Sequence, residues 1–407
     1  MDEFPLATSR FRGDPYRFYR EARERTPLLH GRTAVGEFFL LFRYEDVVAV
    51  LRHPGASVDR AFQPKPVPFD PAEDPASLHP LARAMRVFSR VMLFRDPPDH
   101  TRLRGLVAKA FTPRRVEALR PRIGALVAEL LDAKAGQGGM DVIADLAAPL
   151  PLLVIAELLG VPTDDHRSLK RWTGDLAIML DGTVAMQFLP RAIGAAVQMI
   201  GFLREVVTAR REEPRDDLIS DLLAVQEEEG GLTEDEILAT ILVLFGAGHE
   251  TTTNLIGNGV LALLRHPEER ARLAADPGLL PSAVEELLRW DSPVQATSRT
   301  LPEPFLAHGV EVPRGREIGL LLGAANHDPA QFEAPDRLDL GRADNRHLSF
   351  GHGVHFCLGA PLARLEGQVV LGALLERFPR LALAPGELVW RPGFLFRGVE
   401  ALPVGFG

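Results

Sequence analysis

A capping box, Thr233-Glu234-Asp235-Glu236, opens an apolar run that continues to His266-Pro267. About 30 residues at 1.5 Å of rise make a rod of roughly 45 Å, long enough to cross a whole domain. A helix of that length is mostly core, so the other elements must wrap it. Yet its middle reads Gly246-Ala247-Gly248-His249-Glu250-Thr251-Thr252, with Asn254 beyond. These small and polar residues lower helix propensity and cost burial energy, so stability alone does not place them there. Small residues at 246 to 248 let a flat cofactor or a diatomic ligand approach the backbone, and a Thr hydroxyl can open a helix by competing for a carbonyl. A kink packed against a neighbouring helix is the plainer alternative, and this segment alone leaves it open.

The second constraint is a single cysteine. It sits in Phe350-Gly351-His352-Gly353-Val354-His355-Phe356-Cys357-Leu358-Gly359, and an amphipathic helix pattern follows through Leu358, Leu362, Leu365 and Val369. Pro361 falls in the first turn, where a missing amide does no harm. Cys357 is therefore expected at a helix N-terminus, where the positive end of the dipole favours thiolate over thiol. Gly351, Gly353 and Gly359 let the backbone bend around the sulfur and leave amides free to point at it. A buried, inert cysteine is one reading. Three chemistries compete with it: a nucleophile with His352 or His355 as base, a zinc site using both histidines and the thiolate, and a haem iron with one axial thiolate. The loop by itself decides none of them.

The ten residues from Phe350 to Gly359 resemble the cysteine-ligand loop of the cytochrome P450 haem-thiolate monooxygenases. Ala247-Gly248-His249-Glu250-Thr251-Thr252 is similar to that family's oxygen-activating segment. Glu286-Leu287-Leu288-Arg289 matches its Glu-x-x-Arg pair, and Pro335-Asp336-Arg337 stands where the family has a third partner. His100-Thr101-Arg102-Leu103-Arg104 is similar to a helix whose basic side chains hold a haem propionate. These stations follow in family order, and the similarity extends over nearly the whole chain. It implies a mostly α fold with minor β, a single cytochrome P450 domain over residues 1–407, with haem b between the long central helix and the cysteine-loop helix. Cys357 is then the axial ligand of the iron, and His100, Arg104, Arg299 and His355 meet the propionates. Ala247 and Phe350 lie against the cofactor. Thr251 hydrogen-bonds dioxygen and Glu250 relays protons to it. Glu286, Arg289 and Arg337 form a buried structural network under the cysteine loop, on a helix begun by the capping box Ser282-Ala283-Val284-Glu285. On spacing alone, Glu286 and Arg289 read as a surface ion pair of little worth.

By the same resemblance the reaction inserts one atom of dioxygen into an unactivated C–H or C=C bond, and the substrate contacts Met85, Phe88, Val91, Val243, Ala247, Val294, Ala296, Leu395 and Phe396. That lining is apolar, which implies a hydrophobic molecule of moderate size, of fatty acid, terpenoid, steroid or polyketide type, held mostly by burial. Each residue could equally be plain core. The chain has no glycine-rich flavin or nicotinamide motif after a strand, so electrons must come from another protein, a ferredoxin or flavodoxin with its reductase. Arg102, Lys109, Arg114, Arg115, Arg346 and Arg364 are candidates for its docking patch, or ordinary scattered surface charge. A peroxide-driven oxidation and a haem-binding sensor or ligand carrier are the alternatives.

Composition is consistent with this. At 407 residues a length prior gives two or three domains, but there is no linker, repeat or low-complexity tract, which favours one large fold, expected as a monomer. A net charge of -9 argues against nucleic acid as a partner. The opening Met1-Asp2-Glu3-Phe4-Pro5 is acidic without an apolar core, and runs such as Ile237 to Phe245 fall short of a membrane span; both point to the cytoplasm. Glu37 to Phe42 reads as a buried strand, and Tyr44 to Arg52 as a helix stopped by His53-Pro54. Strands are expected over about 30–60, 294–345 and the C-terminus, and helices over about 98–290. The proline-rich stretch 59–80 reads as a functional lid.

Overall fold

The computed structural model describes residues 8–33, 36–59, 79–108, 111–163, 166–181, 185–226 and 231–407. The chain begins with α1 (Ser9–Gly13), α2 (Pro15–Arg25), the hairpin β1 (Leu28–Thr33) and β2 (Gly36–Leu41), and α3 (Tyr44–Arg52). Helices then dominate: α4 (Pro80–Phe88), α5 (Asp99–Ala108), α6 (Pro113–Ala118) and α7 (Arg120–Asp132), the short β3 (Gly139–Asp141), and α8 (Pro149–Leu159). They continue as α9 (His166–Leu180), α10 (Ala185–Glu212), α11 (Leu218–Gln226), α12 (Glu234–Arg265), α13 (Pro267–Ala275) and α14 (Leu280–Trp290). The strands β4 (Thr297–Thr300), β5 (Phe305–Ala307), β6 (Val310–Val312) and β7 (Glu317–Leu320) follow, then α15 (Leu322–Ala325), α16 (Ala360–Arg377), β8 (Ala382–Leu383) and β9 (Pro403–Gly405). The expected strand at Glu37 to Phe42 and helix at Tyr44 to Arg52 are both present. Most of the proline-rich stretch 59–80 lies outside the described residues.

The larger sheet has the order β1-β2-β7-β4, in which β2 and β7 are parallel and the other pairs antiparallel. Alternate residues of the β2 segment go to opposite faces, as strand geometry requires. Phe39 and Leu41 join a cluster with Val47, Ile318 and Leu320, while Leu40 and Phe42 join one with Phe11, Tyr19 and Leu321. Both faces are covered, which is why this strand reads as unbroken apolar sequence. Gly319, opposite Leu40, is required by close approach: a Cβ there would lie 2.5 Å from the leucine side chain.

Contacts divide the chain into two compact units, Met1–Ala56 with Val116–Leu150 and Thr251–Gly407, and Ser57–Arg115 with Pro151–Glu250. The first holds the sheet, α14, the cysteine loop and α16. The second holds α4, α5, α9 to α11 and the first half of α12. In the second unit α10 packs along α9 and touches α4. One described segment, Gln187–Glu212, is long and apolar enough to cross a membrane by length and composition, and 44% of its apolar window is buried inside the protein. It is longer than the apolar runs expected from sequence, and Pro190 lies inside α10 without ending it.

Candidate functional site

The capping box forms as the sequence predicts: Glu236 N–H donates to Thr233 Oγ1 at 3.3 Å, and Thr233 N–H donates to Glu236 Oε2 at 2.8 Å. From Asp235 to Leu263 the helix is buried except at Val243, Gly246, Ala247, Gly248 and Thr251. Val243, Ala247 and Thr251 lie four residues apart, one line along a helix. Among the described residues, a Cβ added to Gly246 or Gly248 would meet nothing within 4 Å, whereas one on Gly257 would strike Ile143 at 2.5 Å. The middle of α12 thus borders open space on one side only. Glu250 is buried beside that line, 4% exposed, and Thr251 lies on it.

In the first unit, α16 starts after Gly359 as N-cap, so Cys357 precedes the cap by two residues. Its amide donates to Phe350 O at 2.9 Å, closing the loop on itself. Gly351 and Gly353 have φ of 70° and 75°, the left-handed region that favours glycine. At Gly353 a Cβ would also lie 2.8 Å from Leu51 O, since α3 packs against this turn. His355 is half-buried on the turn Gly353–His355. Arg364, on α16, lies over the Phe350 ring, 4.6 Å from its centroid, and forks onto Glu285 at 2.6 and 2.8 Å. His347 reaches the same carboxylate at 3.2 Å. Burial would push the Glu285 carboxyl up, but its hydrogen bonds with Arg364 and His347 outweigh it and bring it down to about 2.

The Glu-x-x-Arg pair is fully buried, both side chains at 0%. Glu286 accepts two bonds from Arg289 at 2.8 Å, one from Arg342 Nε at 3.0 Å, one from Asn345 at 3.1 Å and one from the Asp339 amide at 3.0 Å. A buried ion pair is tolerable only when its remaining donors and acceptors are satisfied, as they are here. Arg289 also donates to Asn326 O at 2.9 Å, and the Asn326 side chain accepts from Leu348 N–H at 2.7 Å. Hydrogen bonds therefore run from α14 to Leu348, two residues before the cysteine loop. Two expectations need correction. Arg337 is not the third side chain: it is 72% exposed on Asp339, and only its carbonyl joins, accepting from Arg289 at 3.4 Å. The turn after Pro335 points Arg342 inward instead. Ser282 is not an N-cap either, because α14 already begins at Leu280 and the Ser282 hydroxyl donates back to Leu279 O.

The other predicted residues are placed as follows. His100, on α5, is 3% exposed, and Arg299, on β4, is 6% exposed, donating to Thr297 Oγ1 and Ser298 O. Arg104 is half-buried on α5. In the second unit Met85 and Phe88 are half-buried on α4, Phe88 stacks on Phe94 at 6.2 Å, and Val91 is core. In the first unit Val294 and Phe396 pair as a β-bridge, and Gln295 N–H donates to Leu395 O at 2.8 Å. Ala296 is buried with Phe11 and Tyr19 in the core. Of the six cations considered for partner docking, Arg102 pairs with Glu236, Arg115 with Asp221, Arg346 with Asp344 and Arg364 with Glu285. Arg114 is exposed, and Lys109 lies outside the described residues.

A family model described as cytochrome P450 matches residues 29–276 and 278–390. The chain belongs to the cytochrome P450 family. It is 43% identical over 399 residues to cytochrome P450 CYP107DY1 of Priestia megaterium, covering 96% of this chain and 95% of that one. It is 41% identical over 402 residues to 6-deoxyerythronolide B hydroxylase of Saccharopolyspora erythraea, covering 98% of each. Among solved structures it is similar to P450BioI in complex with hexadec-9Z-enoic acid ligated acyl carrier protein, at 41% identity and a TM-score of 0.88, covering 98% of this chain and 100% of that one. As a cytochrome P450 the chain is a haem-thiolate monooxygenase with a mostly α fold. The residues present fit that cofactor. The sulfur sits in a loop shaped by glycines, small residues line the open side of α12, and the buried His100 imidazole and Arg299 guanidinium offer donors that suit carboxylate partners.

Proposed function

We propose that Cys357 is the axial thiolate of haem b, and that Thr251 and Glu250 are the hydroxyl and the acid that handle dioxygen and its protons. The observation that carries this is the pairing on α12: a half-exposed hydroxyl on the one open line of a buried helix, followed backwards by a buried carboxyl. The bound haem supplies reductive activation of dioxygen and transfer of one oxygen atom to the substrate. Thr251 offers a hydrogen bond at the open face of α12, and Glu250 places a buried carboxyl one residue away as the proton relay. A proton delivered to the wrong oxygen yields hydrogen peroxide, so a positioned alcohol and acid decide the outcome. His100, Arg104, Arg299 and His355 would hold the propionates, and Ala247 and Phe350 would pack against the cofactor.

The substrate is a hydrophobic molecule of moderate size, hydroxylated or epoxidised, with Met85, Phe88, Val91, Val243, Ala247, Val294, Ala296, Leu395 and Phe396 as its contacts. The names 6-deoxyerythronolide B hydroxylase and P450BioI with an acyl carrier protein carrying hexadec-9Z-enoic acid support a polyketide or fatty-acyl type. Electrons come from a ferredoxin or flavodoxin with its reductase, and the enzyme works as a cytoplasmic monomer of one domain. A displacement screen read from the Soret band would identify the substrate class: apolar ligands should shift it and polar ones of equal size should not. With a substrate in hand, Thr251→Ala should keep binding yet divert reducing equivalents to hydrogen peroxide by about tenfold or more. Unchanged binding with no effect on turnover would instead support a ligand carrier or a peroxide-driven enzyme.

A further inference from the structure

A buried histidine on α12 has no part in the steps above. His249 is 3% exposed, and its Nδ1 lies 3.0 Å from the hydroxyl of Thr173, a fully buried residue of α9. That hydroxyl has one proton, and it already faces Leu169 O at 2.9 Å and Lys170 O at 3.1 Å within its own helix. Once it donates to a carbonyl one turn back, only its lone pairs remain for the imidazole. His249 is therefore the donor, through Nδ1–H. Next to Thr173, α9 is itself braced against α10, where Trp172 Nε1–H donates to Gln198 Oε1 at 2.6 Å.

The part of α12 anchored in this way is the part least able to hold its own orientation. Gly246 and Gly248 weaken the helix, and among the described residues nothing is packed where their side chains would be. Glu250 follows His249 directly, about 100° further round the helix. A rotation of about 20° would carry a carboxyl some 6 Å from the axis through roughly 2 Å. Productive geometry tolerates only about 0.5 Å. A hydrogen bond to a braced neighbouring helix, one residue from the acid, suppresses that rotation.

We propose that His249, held by Thr173, is a positioning residue that aims the Glu250 carboxyl for proton delivery. This deepens the reading of Glu250 as the proton relay and rests on it. The test uses the haem-loaded enzyme with His249→Phe, which keeps a ring without a donor, and Thr173→Val, which keeps shape without the hydroxyl. His249→Asn and Thr173→Ser preserve the donor and the acceptor. Hydrogen peroxide released per molecule of product is measured beside amide hydrogen exchange over residues 246–253 and the thermal midpoint. His249→Phe and Thr173→Val should each raise the peroxide-to-product ratio about tenfold and speed exchange. Their double variant should be no worse than either, and the Asn and Ser variants should return toward wild type. A lower thermal midpoint with an unchanged ratio would overturn the proposal, leaving a purely structural link. Should His249→Phe fail to take up haem, Thr173→Val decides alone. Glu250→Gln separates the two levels. If it leaves the ratio unchanged, the proton-relay reading fails; if it raises the ratio while Thr173→Val does not, only the positioning role fails.

Discussion

Glu366 shows how one side chain can set a pH dependence. It lies on α16, is 2% exposed, and its Oε2 has no hydrogen-bond partner among the described residues. Burial pushes its carboxyl from the usual 4.5 up to about 8. The folded value lies above the unfolded one, so between these two values the folded chain binds more protons, and stability falls as pH rises. Glu366→Gln removes the ionisation while keeping the shape. The wild type should lose on the order of a few kcal/mol across about pH 5 to 8, and the variant should stay level. Denaturant midpoints taken at several pH values check this, and parallel curves would contradict it. Glu285 works in the opposite sense. Its depressed carboxyl contributes stability at neutral pH that is lost as pH falls from about 4.5 toward about 2.

At the scale of elements, α14 and the segment after Pro335 hold the cysteine loop through Glu286. Losing Arg342 leaves that carboxylate short of one charged donor in a dry site, which should cost about 1–3 kcal/mol. Arg289→Ala should cost about 3–5 kcal/mol, because it strands the buried charge. Arg337→Ala should change stability by less than about 0.5 kcal/mol, given its exposure. Thermal melts of the three variants check the order, and equal effects at 337 and 342 would contradict it. The Glu-x-x-Arg spacing was legible because both residues share one helix. Which arginine of the following loop turns inward was not, since Arg337 and Arg342 sit in irregular backbone with no periodicity to read. The Thr233 capping box was legible for the opposite reason: its hydrogen bonds are local. The similar Ser282 pattern misled because Leu280 and Pro281 start α14 earlier. His249 stood out as polar, but its partner lies 76 residues away and no local signal names it.

For the whole molecule, the sequence showed a long helix and a cysteine loop, and the family resemblance rests on stations spread from residue 100 to residue 359. It did not show that the residues over about 98–290 belong to two compact units, with 116–150 and the second half of α12 joining the strand-rich part. That division depends on contacts between distant segments. Surface charge was also only partly readable, because four of the six candidate docking cations are paired with carboxylates. Arg114→Glu should therefore slow reduction by an acidic electron donor about threefold or more at low salt and little at high salt. Arg364→Glu should instead destabilise the cysteine loop, seen as lost haem. Stopped-flow reduction at two ionic strengths separates these cases. The most direct measurement of the central claim is the absorption spectrum of the reduced carbon monoxide adduct, recorded for the wild type and for Cys357→His. The account predicts a strongly red-displaced Soret band in the wild type and its loss in the variant. A wild-type band at the position of a histidine-ligated haem, or a purified protein without haem absorption, would contradict it.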